Sequence, residues 1–357
     1  MKTTRREFLA SASALVLAPP ALAAAAPPAG SRFGIAYTSF VIRMLRGRDV
    51  LRAGAGPRLP AAEFIELTHA FGGGGCQMDL SQLGSTEPAD LKRLRASVEA
   101  RGMWLELSVP AKSLEDPEAF ARGAAVARAL GVTRLRVALL SGRRYEDFHR
   151  MEEWRAFAGR WRAALPKAAA WLEGAGLHAG IENHKDFLAP ELAEILLAVG
   201  SPHLGACVDF GNNLALLEDP LTTAETLAPF VVTTHIKDMA VRPYEAGFEL
   251  SEVPLGTGIL PLARMIEVLT KARPDVRLSL EMITRDPLKV PYLGDPYWVT
   301  HERRDPARIR AFESAVLARA AKGPLPRIAG LTQEQMLAAE DENVRASVAY
   351  AKETLGL

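Results

Sequence analysis

From Arg32 to about Leu280 the chain alternates short apolar runs with longer amphipathic stretches, and it does so eight times. The runs at 33–39, 75–80, 103–109, 134–140, 178–184, 204–210, 231–237 and 276–282 have the length of buried strands. Helical periodicity fills 61–70, 89–101, 117–130, 151–174, 190–199, 221–229 and 261–273, and Gly102, Gly131, Gly176 and Gly200 stand where helices should stop. Strands separated by helices pair in parallel, because a helical crossover carries the chain back to the same end of the sheet. Eight is the number that closes a barrel. The pattern therefore predicts an α/β fold, a (β/α)8 TIM barrel over residues 32–325. A doubly wound open sheet is the rival, but no GxGxxG follows the first strand.

Segments at both ends fall outside this repeat. Arg5 and Arg6 precede an apolar run from Leu9 to Ala26 that closes in small residues, with Ala21-Leu22-Ala23 as an A-x-A cleavage site. A cationic start, a short apolar stretch and a small-residue exit describe a secretory signal, and paired arginines describe the twin-arginine route. Residues 1–26 are thus predicted to be a signal peptide and the mature chain to reside in the periplasm. The run is short and broken by Pro19-Pro20, and no later apolar run spans a bilayer, so stable membrane insertion is not expected. Residues 284–306, rich in Pro, Tyr and Trp, read as a long ordered loop, and a helix at 307–321 would close the barrel. Residues 326–357 read as a helical extension. Thr332 and Gln335 form a capping box, and Met336, Ala339, Val344 and Val348 form an apolar stripe. That stripe packs either on the barrel or on a second copy in a homo-oligomer.

Charge and cysteine content narrow the partners. The chain carries +1, and losing Lys2, Arg5, Arg6 and Glu7 with the signal leaves about −1, which provides no electrostatic footprint for nucleic acid or an anionic membrane. Cys76 and Cys207 both fall inside apolar strands and read as core residues rather than a disulfide framework.

Four consecutive strands each end in a residue able to bind a divalent cation: Glu182, Asp209, His235 and Glu281. The C-terminal strand ends of a barrel converge on one mouth. Ionised groups at the end of an apolar strand are costly unless paired or coordinated. One strand-end Asp or His alone reads as a hydrogen-bonded structural group; recurrence on four successive strands points to a metal site. Three carboxylates and one imidazole suit Mn²⁺, Mg²⁺, Co²⁺ or Zn²⁺.

At GIENHKD, ACVDFGNN, THIKD and LSLEM the chain resembles the xylose-isomerase-like TIM-barrel superfamily of sugar isomerases and epimerases. The resemblance spans about Arg32 to Asp286 and is firmest from Gly180 onward. It implies one divalent ion held by Glu182, Asp209, His235 and Glu281. It also implies that Glu182 and Glu281 move protons on opposite faces of a metal-bound enediolate made from a small carbohydrate. Proton return to the same carbon gives epimerisation and to its neighbour gives isomerisation. His184 and Lys237, two residues beyond strand-end ligands, are expected to point into the same mouth. Arg242 stands where such epimerases place a substrate-binding arginine. Many of them carry a His where this chain has Asn212, so the substrate contact expected there is altered.

Other features read more softly. Gly256 and Gly258 in PLGTG make a turn or, less simply, a phosphate cradle. Gly72 to Gly75 read as a connection into a strand. Asp79 and Glu106 either line the mouth or pair with Arg136. Tyr292, Tyr297 and Trp298 form either an aromatic wall for a sugar ring or a packed loop. The rival activities on the same barrel are a lyase eliminating a group from a 3-keto-glycoside, an abasic-site endonuclease and a non-catalytic sugar-binding protein. Export and the scarcity of strand-end histidines weigh against the endonuclease, and retention of both glutamates against the binding protein.

Overall fold

A computed structural model of the chain describes residues 30–44 and 59–357; the expected signal segment lies outside the described residues. The eight expected strands all form. They begin with β1 (Phe33–Ala36), β2 (Gly75–Asp79), β3 (Trp104–Ser108), β4 (Arg134–Val137), β5 (His178–Glu182), β6 (Leu204–Asp209) and β7 (Val231–Ile236). A hairpin follows, β8 (Asp238–Tyr244) and β9 (Gly247–Val253), before the chain re-enters the barrel as β10 (Leu278–Leu280). The barrel is closed in the order β1-β10-β7-β6-β5-β4-β3-β2, with every pairing parallel.

The intervening helices obey the local signals. Gly131, Gly176 and Gly200 end theirs with φ of 72°, 68° and 63°, the left-handed region that glycine enters without Cβ strain. Asp116 and Asp219 accept backbone N–H groups at the starts of Pro117–Leu130 and Pro220–Leu227. The long helix Met151–Ala175 buries Trp161, Leu165 and Leu172 completely. At the floor of the barrel, Gly34 and Gly75 leave room for the Trp104 indole, where a Cβ at either would collide with the ring. Arg277 lies 5.0 Å above that ring and 3.5 Å from Glu106, so the floor is closed and the opposite mouth is left for chemistry.

Two segments depart from the sequence reading. Residues 238–253 were not expected to pair. Their hairpin joins β11 (Leu288–Val290) in an antiparallel sheet, β11-β9-β8, beside the barrel. Charged Glu249 and Glu252 on β9 are buried by ion pairs with Arg327 and Arg285, which hides the strand from an apolar-run criterion. The 284–306 segment is ordered as expected, but it contains β11 and a 3-10 turn, Asp295–Trp298.

The C-terminal extension packs on the barrel. Its helix, Gln333–Glu353, starts at the Thr332 capping box and buries Val344, Val348 and Ala351. Polar contacts tie it to three loops of the mouth. Glu340 accepts the Ile42 N–H at 2.5 Å and pairs with Arg43 at 2.7 Å, Asn343 donates to Thr284 at 2.9 Å, and Ser347 Oγ accepts from the Leu255 N–H at 3.2 Å. Cys76 and Cys207 are free and buried, as core residues should be. Among the described residues no helix is long and apolar enough to cross a membrane.

Candidate metal centre

β5, β6, β7 and the end of β10 bring Glu182, Asp209, His235 and Glu281 together, with one ligand atom from each within 4.8 Å of the others and all four buried. His235 Nδ1 lies 3.3 Å from Glu281 Oε1, 3.4 Å from Glu182 Oε1 and 3.8 Å from Asp209 Oδ2. Among the described residues that nitrogen has no hydrogen-bond partner. Its orientation comes from Gln77 on β2. The Gln77 amide N–H donates to Glu106 Oε2 at 3.2 Å, and a carboxylate can only accept, so the amide oxygen faces His235. His235 Nε2–H therefore donates to Gln77 Oε1, at 2.5 Å, and Nδ1 is turned toward the carboxylates, where a bound cation would take the place of its proton.

The carboxylates are held just as closely. Asp209 Oδ1 accepts the N–H groups of Gly211 and Asn212 at 2.9 and 2.8 Å, which leaves Oδ2 facing the cluster, 2.8 Å from Lys237 Nζ. Asn183 both accepts from the Asp209 N–H and donates to its carbonyl, fastening β5 to β6. Glu281 Oε1 accepts from Thr38 at 2.9 Å, and Oε2 pairs with Lys237. Glu182 Oε1 accepts from Asn212 at 3.0 Å while Oε2 pairs with Arg136.

These contacts set the ionisation. Burial works against the Glu182 carboxylate, but Arg136 and then His235 outweigh it and hold it well below the usual carboxylate range. Burial also opposes ionised Glu281, and Lys237 and His235 overcome it. Burial disfavours charge on His235, yet Glu281 and Glu182 prevail and raise it to about 9. A donor set of three carboxylates and an imidazole, with an unpartnered buried Nδ1 in its midst, fits one hard or borderline divalent cation.

A cavity of about 480 Å³ opens beside the cluster. Its wall includes Tyr37, Thr38, Arg136, Arg143, Glu146, His184, Lys185, Glu281 and Arg285. Of the four clustered residues only Glu281 lines it. His184 Nδ1–H donates to the Leu140 carbonyl at 2.8 Å, which leaves Nε2 as an acceptor, and burial lowers the ring's pKa to about 3.

The other expected substrate contacts are placed differently. Lys237 bridges Asp209 and Glu281 rather than lining the cavity. Asn212 holds Glu182 with its amide N–H and receives Lys185 on its oxygen. Arg242 is exposed on β8, opposite Glu249, and the cavity arginine on that side is Arg285 instead. The Gly256 and Gly258 N–H groups donate to Asp238 Oδ2 at 3.0 and 2.9 Å, so PLGTG is a turn closed on an internal carboxylate. Tyr292, Tyr297 and Trp298 are buried in a packed loop, with Tyr297 Oη donating to the Ala215 carbonyl and Trp298 Nε1 to that of Tyr292. Asp79 caps the turn after β2, and Glu106 binds Gln77 and Thr233 rather than Arg136.

Gln77, Thr38, Lys185 and Arg285 were not singled out from the sequence. Thr38 lies just past the end of β1 and Gln77 in the middle of β2, where alternation alone marks the inward side. Lys185 sits in GIENHKD, but the backbone turn that swings it into the wall is invisible to strand spacing.

Comparison with known proteins agrees with this architecture. Residues 65–307 match the family model described as xylose isomerase-like TIM barrel. Over 205 residues the chain is 32% identical to the 3-oxo-isoapionate decarboxylase of Pectobacterium atrosepticum, covering 57% of this chain and 70% of that protein. The fold is similar to a crystal structure of D-psicose 3-epimerase, with a TM-score of 0.56 and 16% identity over 83% of this chain and 94% of that one. A xylose isomerase-like barrel from Mycobacterium smegmatis in complex with magnesium gives a TM-score of 0.54 and 13% identity, over 80% and 98% of the two chains.

Proposed function

The chain belongs to the xylose isomerase-like TIM-barrel family, and on that premise we propose that it is a divalent-metal-dependent isomerase or epimerase of a sugar derivative, working through an enediolate. The observation that carries this reading is Glu281, which belongs to the metal cluster and also lines the adjoining cavity. An ion held by Glu182, Asp209, His235 and Glu281 would supply Lewis-acid stabilisation of an oxyanion beside a carbonyl, which renders the neighbouring C–H acidic. Glu281 then removes that proton, with the Thr38 hydroxyl fixing the carboxylate's orientation. His184 Nε2 accepts from a substrate hydroxyl. Lys237, between Asp209 and Glu281, offsets developing negative charge. One cavity-facing carboxylate suffices for isomerisation, in which the same base removes and returns the proton. Epimerisation calls on Glu182 as the second group.

Decarboxylation is a second reading with its own support. The P. atrosepticum relative is by name a decarboxylase of a 3-oxo acid. Loss of CO₂ from such an acid leaves an enolate without any C–H abstraction, and the one proton that the enolate carbon then takes up comes from solvent, since Lys237 and His235 hold Glu281 ionised. Magnesium in the M. smegmatis barrel supports an oxygen-preferring ion, with Mn²⁺, Co²⁺ and Zn²⁺ as the other candidates for this donor set. The discriminating experiment incubates metal-loaded protein in D₂O with ketoses, 3-oxo sugar acids and 3-keto-glycosides and follows products by NMR. We expect deuterium at the carbon beside the carbonyl together with an isomeric product. Release of CO₂ moves the assignment to decarboxylation, release of an aglycone to elimination, and neither exchange nor product from any substrate removes the enediolate. We also propose export by the twin-arginine route; changing Arg5 and Arg6 both to Lys should retain the protein inside the cell, and unchanged export would refute it.

A further inference from the structure

The cavity wall carries four cations, and three of them have an acid. Arg136 pairs with Glu182, Arg143 with Glu146, and Arg285 with Glu252. Lys185 is the exception. It is 5% exposed, lines the cavity, and among the described residues has no carboxylate within ion-pair distance. Among the described residues its ammonium donates only to Asn212 Oδ1. A buried cation with no counter-charge is costly to the fold.

The backbone adds to that cost. Lys185 has φ of 65°, one of two non-glycine residues in the left-handed region among those described. Glycine would hold this position without Cβ strain, whereas a lysine there is strained. The conformation is enforced on both sides. Asp186 Oδ1 accepts the N–H groups of His184 and Phe187 at 3.1 and 2.7 Å, and the Lys185 carbonyl accepts from the Arg144 N–H at 3.0 Å. Two destabilising features at one cavity-lining residue describe a group kept for what it binds.

We propose that Lys185 is the anion-binding residue of the cavity and that the substrate carries a carboxylate, placed there while its carbonyl end faces Glu281. This deepens the enediolate reading, on which it rests for the position of the carbonyl. Arg285 adds positive charge to the same wall, whereas Glu146, already paired with Arg143, is the one acidic side chain on the wall outside the metal cluster. Burial, then repulsion from Lys237 and Arg285, lowers the lysine's pKa to about 8. An arriving anion supplies the missing counter-charge.

Equilibrium binding to metal-loaded protein tests this without turnover. The probes are L-threonate, inorganic phosphate and neutral erythritol, titrated calorimetrically into wild type, Lys185→Gly and Lys185→Arg. We expect threonate affinity to fall at least about tenfold in Lys185→Gly, the scale of a lost charge-assisted contact, and to persist in part in Lys185→Arg, with erythritol unaffected. Lys185→Gly should also melt about 2 °C higher, because strain and an unpaired charge are both removed. A lysine kept for packing would give a lower melting point and unchanged threonate binding, and that result overturns the proposal. Phosphate binding more tightly than threonate overturns the carboxylate assignment. Intact Lys185-dependent threonate binding in a protein that shows no exchange or turnover would instead refute the enediolate reading alone.

Discussion

Gln77→Leu separates a residue that orients a metal ligand from one that merely fills the barrel. The side chain keeps nearly the same volume and loses both hydrogen bonds, the one from His235 Nε2–H at 2.5 Å and the one to Glu106 at 3.2 Å. Glu106 retains Thr233 at 2.6 Å and Arg277 at 3.5 Å, so the group left stranded is the His235 N–H, which is fully buried. A buried donor without an acceptor costs about 1–3 kcal/mol, and that loss should appear in metal-free protein. A further loss should appear only with metal, because the imidazole is no longer held with Nδ1 toward the carboxylates. Removing such an orienting partner typically weakens metal affinity about 10–100-fold, which corresponds to about 1.4–2.7 kcal/mol less stabilisation at saturating ion. Thermal melting with and without ion, combined with competition against a chelator, reads the two losses separately. Wild-type metal affinity in a destabilised Gln77→Leu protein would refute the orienting role and leave Gln77 a structural residue.

Other perturbations address the remaining parts of the account. Lys185 is charged below about pH 8 and neutral above it, so its contribution to binding an acidic substrate is present below that pH and lost above; kcat/KM should decline through about 8, and a flat profile to pH 10 would refute the anchor. Glu281→Gln keeps one carbonyl oxygen for the ion and removes the base, so turnover should fall about 100-fold or more while metal content persists; undiminished turnover would exclude Glu281 as the base. Burial raises Glu340 to about 7, with the Ile42 amide and Arg43 opposing. The folded state therefore binds the proton more tightly than the unfolded chain, and the wild type should lose stability as pH rises toward and through 7. Glu340→Gln should remove that slope, seen as a smaller difference in Tm between pH 5 and pH 8; an unchanged slope would place the titration elsewhere.

The barrel was legible because its signals are redundant. Eight strands of similar length, with glycines such as Gly131, Gly176 and Gly200 stopping the helices, agree with one topology. The four clustered residues were legible for the same reason, since each ends a strand and strand ends share one mouth. What failed was read from single positions. Arg242 follows β7 by a few residues, but the hairpin turns it to solvent, and that hairpin was hidden because Glu249 and Glu252 interrupt its apolar pattern with charges that only the folded chain pairs. Lys237 and Asn212 lie beside the cluster as expected, but as partners of its carboxylates rather than on the cavity wall. Their partners, Asp209 with Glu281 and Glu182 with Lys185, depend on distances between strands that strand spacing does not encode. Lys185 escaped notice because its left-handed backbone is imposed by Asp186 and Arg144, two contacts with no sequence pattern.

The claim on which everything else depends is that Glu182, Asp209, His235 and Glu281 form one metal site. Elemental analysis after gel filtration, on wild type and His235→Ala prepared in parallel, tests it directly. Wild type should hold about one divalent ion per chain, and His235→Ala, with the imidazole donor removed from the cluster, should hold almost none while keeping its circular dichroism spectrum. Equal metal content in the two proteins would contradict the assignment.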